Sequence, residues 1–120
     1  MKKDFDWDSL SFSLTQTELM YKAECKLGES WNPGKIIPYG MLEIDPAAGV
    51  LNYGQGIFEG MKAHRTVKDR IILFRPEENA RRFQRGAARL GMPPIPESIF
   101  LDAVEQVVAA NGDWIAPTGK

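Results

Sequence analysis

Three arginines, Arg82, Arg85 and Arg89, recur at spacings of three and four in "ENARRFQRGAARL". On a helix turning 100° per residue they share one side with Glu78, while Ala80, Phe83, Ala87 and Leu90 take the other. Guanidinium groups gathered this way suit three uses. They grip a phosphate through paired N–H donors, track a nucleic-acid backbone, or solvate a helix face, with Glu78 pairing Arg82 at i,i+4. Spacing alone leaves all three open. Against nucleic acid, no aromatic residue is interleaved with the basic face, and the chain carries a net charge of −1. Residues 61–90 nevertheless hold nine Lys and Arg against three acids. That imbalance points to an anion near the middle of the chain or to a solvated charged face.

A second stretch, "LNYGQGIFEGMKAHR", places Tyr53 and Phe58 among Gly54, Gly56 and Gly60. The glycine spacing loosely resembles a dinucleotide fingerprint. That motif needs an apolar strand before it and a helix opening on it, and neither is legible here. Tight turning and close packing are the plainer use of these glycines. His64 is the only histidine, and it reads as a packed or exposed strand residue. No Ser/His/Asp or Cys/His set and no metal-ligand spacing is present. Lys62 has the type needed for a Schiff base, but nothing local desolvates it.

The elements that must position these residues follow from periodicity. "MYKAEC" reads as a strand, and "KIIPYGMLEI" as an extended run that Pro38 keeps at an edge. "MKAHRTV" and "RIILF" around a polar Lys-Asp turn predict a β-hairpin. Pro76 opens a helix whose first turn carries Glu77 and Glu78, and Gly91 stops it. A second helix starts near Pro96, with Phe100, Val104, Val107 and Val108 as its apolar stripe, and ends at Gly112. Strands followed by two helices predict an α+β chain, a mainly antiparallel sheet with both helices on one face.

The 120 residues make about one domain, 1–120, and 43% hydrophobic content predicts a real core. The lone Cys25 excludes an internal disulfide, fits a reducing compartment and reads as a small, at least half-buried residue. No apolar run reaches the length of a membrane span, and "MKKDFDWDS" has no signal-like apolar region.

Taken together, "YGQGIFEGMKA" and "LFRPEENARR" strongly resemble the branched-chain amino acid aminotransferases, the fold-type-IV enzymes that use pyridoxal 5'-phosphate, with the plant branch nearest. "FSLTQTELMY", "GKIIPYG" and "DWIAP" match more loosely, so the resemblance runs from about Trp7 to the end. It implies that Arg82 binds the cofactor phosphate, whereas Arg81, Arg85 and Arg89 stay solvated. It implies that Phe12, Tyr53 and Phe58 wall the pocket for an apolar substrate side chain, with Tyr53 reaching the partner's site in the family homodimer. Branched alkyl groups suit such walls, which discriminate only weakly among leucine, isoleucine and valine. His64 stands where an aromatic is usual, and Ser13 where a glycine is common.

The family's Schiff-base lysine, and the domain that carries it, lie downstream of the matching segment. No catalytic residue is therefore expected here, and Lys62 is not the equivalent of that lysine. The resemblance implies a small N-terminal domain, inactive alone and binding the cofactor weakly or not at all. The activity implied for the whole enzyme is exchange of an amino group between leucine, isoleucine or valine and 2-oxoglutarate. An alternative is a truncated, non-catalytic domain that dimerises with a full-length aminotransferase and regulates it. The expected partners are amino acids and 2-oxo acids, with no nucleic acid and no membrane. The expected location is the cytoplasm or, after removal of a transit peptide, a plastid or mitochondrion.

Overall fold

The computed structural model describes residues 4–120. Met1, Lys2 and Lys3, part of the stretch read for targeting signals, lie outside the described residues. After a single 3-10 turn at Trp7–Ser9, β1 (Leu19–Lys22) pairs antiparallel with β2 (Lys35–Pro38), in a register that sets Tyr21 opposite Ile36. Pro38 ends its strand opposite Leu19, where an absent N–H costs least. The return between the strands depends on Gly34, whose N–H donates to Tyr21 Oη at 2.8 Å. A Cβ there would lie 2.1 Å from the Lys22 carbonyl oxygen, so no other residue fits.

A short helix α1 (Gly49–Asn52) follows, in a stretch where periodicity showed no helix. Then β3 (Ala63–Arg65) pairs antiparallel with β4 (Ile71–Leu73). The predicted polar turn joins them. Asp69 N–H donates to the Thr66 carbonyl at 2.9 Å, and Asp69 takes a left-handed φ of 58°, which Asp tolerates better than most residues.

Helix α2 (Pro76–Arg89) starts at the predicted proline, and α3 (Glu97–Ala110) one residue after Pro96. Gly91, at φ 69°, closes α2. Its N–H donates to the Ala88 carbonyl at 3.2 Å, and that of Met92 to Ala87 at 2.9 Å. These two bonds form a Schellman motif, which only a residue at ease in the left-handed region supports. Helix α3 stops at Ala110, with Asn111 as its cap, before the expected Gly112, which instead begins a 3-10 turn ending at Trp114.

The α+β class holds, with the strands divided between two separate two-stranded ladders. Helix α3 packs on the β1–β2 ladder and against α2. Phe83 and Phe100 meet between the helices at a centroid distance of 5.5 Å. The core is thinner than the hydrophobic content predicts. Among the described residues its buried apolar side chains are Ala80, Ala87 and Ile95, and the expected core residue Leu90 is 42% exposed. The radius of gyration is 16.1 Å, against about 13.6 Å for a compact chain of this length. Two narrow ladders cannot cover an apolar layer as one broad sheet would, so Leu14, Leu27, Met41, Val67 and Phe74 face outward.

Candidate anion site on helix α2

The segment from Gln55 to Gly60 runs antiparallel along α2. Gln55 Nε2 donates to the Leu90 carbonyl at 2.8 Å, and Ile57 lies against Gly86. Glu59 meets Arg82, and Asn79 Nδ2 donates to the Gly60 carbonyl at 3.1 Å. Alternate residues of the segment therefore touch the helix every four residues. Two extended residues advance about 6.6 Å, and four helical residues about 6 Å, so the two periods stay in step. Phe58, between Ile57 and Glu59 in this alternation, is 94% exposed.

The centre of this clasp is an ion pair. Arg82 donates from Nε to Glu59 Oε1 and from Nη2 to Oε2, the second bond at 2.6 Å. Asn79, one helical turn before Arg82, donates to Oε2 at 2.8 Å, and the Gly60 N–H donates to the same oxygen at 3.1 Å. The Glu59 side chain is only 6% exposed, whereas that of Arg82 is 65% exposed. The Arg82 hydrogen bonds hold the Glu59 carboxyl down at about 2; burial opposes this, and Asn79 supports it. In return Glu59 raises the Arg82 guanidinium above its ordinary value.

This overturns the expected Glu78–Arg82 pair. Glu78 instead accepts from Arg81 at 2.7 Å and from Arg75 at 3.4 Å, and Arg82 turns to the Gln55–Gly60 segment. An exposed i,i+4 pair is worth only a few tenths of a kcal/mol, whereas a buried carboxylate offers both oxygens to the guanidinium fork. Glu59 and Asn79 were missed as site residues. Their only sequence signals were the spacing of three between Asn79 and Arg82 and the alternation from Ile57 to Glu59.

Arg82 stands between two shallow concavities. One, of about 210 Å³, is lined by Glu78, Asn79, Arg82 and Arg85. The other, of about 300 Å³, is lined by Phe58, Glu59 and Arg82 with Gly56, Ile57, Phe83 and Gly86. Phe58 and Arg82 are thus brought together, while Tyr53 and Phe12 line neither concavity. Tyr53 caps α1 and is 88% exposed, and Phe12 lies fully exposed beyond the first 3-10 turn. Lys62 and His64 are exposed as well, and Cys25 is half-buried.

The donor chemistry fits a phosphate. A guanidinium has five N–H donors; Glu59 takes one from Nε and one from Nη2, which leaves the Nη1 edge to an outside anion. A larger cavity, about 520 Å³, lies elsewhere, between the β1–β2 ladder and α3. It is lined by apolar groups such as Leu19, Phe100 and Val104, carries no charged side chain, and does not compete for this role.

An α+β chain presenting a braced, exposed guanidinium is one equipped to hold an anion. No family model matches the chain. Among curated proteins it is 53% identical over 114 residues to Branched-chain-amino-acid aminotransferase 6 of Arabidopsis thaliana, which covers 95% of this chain and 32% of the relative. It is 50% identical over 117 residues to Branched-chain amino acid aminotransferase 2, chloroplastic, of Humulus lupulus, covering 98% and 29%. It is 49% identical over 114 residues to Methionine aminotransferase BCAT4 of Arabidopsis thaliana, covering 95% and 32%. The chain is a homologue of plant branched-chain amino acid aminotransferases, a family of transferases. It spans about a third of the length of these relatives. No helix among its described residues is long and apolar enough to cross a membrane.

Proposed function

We propose that this chain serves the transamination of branched-chain amino acids with 2-oxoglutarate, as the small N-terminal domain that supplies the cofactor phosphate arginine and part of the substrate wall. The observation that carries this is Arg82, exposed on its outer edge and braced from behind by Glu59. Bound there, pyridoxal phosphate supplies the electron sink of the reaction, and Arg82 anchors its phosphate and fixes its orientation. Phe58, beside Arg82, offers apolar area to the substrate side chain. Tyr53 reaches the partner's site in a homodimer, and Phe12 adds a further apolar wall. The methionine aminotransferase among the relatives widens the substrate class to unbranched apolar side chains. A plastid or mitochondrial location fits the chloroplastic and mitochondrial relatives.

The deciding experiment is a leucine/2-oxoglutarate assay on the natural gene product, with its intact mass recorded. Glutamate formation that Arg82→Ala reduces by about a hundredfold supports the reading. Activity that Arg82→Ala leaves untouched removes the phosphate role. A product of 13.5 kDa that forms glutamate without a partner would show that the chain needs no further domain.

A further inference from the structure

We propose that Glu59 is a positioning residue for Arg82, holding the Nε and Nη2 edge of the guanidinium so that the Nη1 edge is presented to a phosphate. This deepens the reading of Arg82 given above and rests on it. Three observations point the same way. Glu59 is the buried partner and Arg82 the exposed one, so the carboxylate lies behind the guanidinium and not where an incoming anion would sit. Glu59 is itself fixed, because Asn79 Nδ2 and the Gly60 N–H both donate to its Oε2. The segment carrying it is tied to α2 on either side, by Gln55 at Leu90 and by Gly60 at Asn79.

Two effects of Glu59 oppose each other. Its charge competes with a phosphate for the attraction of Arg82. Its grip removes rotamer freedom that Arg82 would otherwise lose on binding. The competing charge is already shared with Asn79 and the Gly60 N–H, so the loss of freedom dominates and Glu59 favours phosphate binding.

The test uses the natural gene product with Glu59→Gln, Glu59→Asp and Arg82→Ala, and inorganic phosphate as the probe. Circular dichroism checks each fold. The first readout is the Arg82 Nε–H resonance without any anion. It is sharp and slowly exchanging in the parent protein, lost in Glu59→Gln and partly kept in Glu59→Asp. The second is the phosphate dissociation constant from a phosphorus resonance titration, about tenfold weaker in Glu59→Gln and intermediate in Glu59→Asp. An unchanged Arg82 resonance in Glu59→Gln, or tighter phosphate binding, overturns the proposal. If Glu59→Gln does not fold, Glu59→Asp decides on the same readouts. Equal phosphate binding by the parent and Arg82→Ala would sink the phosphate role of Arg82; loss of the resonance in Glu59→Gln would still support the grip.

Discussion

Asn111 holds Leu19 by both sides of its backbone, across 92 residues of sequence. Its Oδ1 accepts from the Leu19 N–H at 3.2 Å, and its Nδ2 donates to the Leu19 carbonyl at 3.0 Å. The same Nδ2 donates to the Val107 carbonyl at 3.0 Å, so one side chain closes α3 and anchors the start of β1. Asn111→Ala strips these part-buried groups of their partner and should cost about 1–3 kcal/mol. Urea unfolding measures the loss. Asn111→Asp, which sets a carboxylate against the Leu19 and Val107 carbonyls at the C-terminal end of α3, should lose at least as much.

Acid should weaken the Glu59–Arg82 clasp in a defined window. The folded-state pKa of Glu59 lies below its ordinary 4.5, at about 2. A carboxyl depressed by folding stabilises the protein above its unfolded pKa and loses that contribution as pH falls through the folded one. The parent protein should therefore exceed Glu59→Gln in melting temperature at neutral pH. The gap should shrink as pH falls from about 4.5 to about 2. A gap independent of pH would assign the stabilisation to packing instead.

Gly86 tests how closely the Gln55–Gly60 segment lies on α2. A Cβ there meets Ile57 Cγ2 at 3.5 Å, an ordinary contact. Gly86→Ala should therefore gain helix propensity, about 0.5–1 kcal/mol, without displacing the segment. Gly86→Leu has no such room. It should push Ile57 outward, lift Glu59 from Arg82 and lose about 1–3 kcal/mol. Thermal melts of the two variants should move in opposite directions.

The exposed aromatics separate stability from binding. Phe58 and Tyr53 are 94% and 88% exposed. Phe58→Ala and Tyr53→Ala should each change unfolding free energy by less than about 0.5 kcal/mol. A loss several times larger would mean that these rings pack, not wait for a ligand. On the proposed function both variants raise the KM for leucine, which steady-state kinetics of the natural product would show.

Sequence alone settled what depends on near neighbours. Pro76 and Gly91 bounded α2, because a fixed φ and a left-handed φ are properties of single residues. The β3–β4 hairpin followed from a polar turn between apolar runs, and the homology from two dense motifs. Only the tertiary structure decided what depends on distant groups. It chose Glu59 over Glu78 as the partner of Arg82, because a residue 23 positions away brings a buried carboxylate that no helical wheel contains. It also left many large apolar side chains exposed: composition counts them, but burial depends on whether two narrow ladders and two helices can cover them.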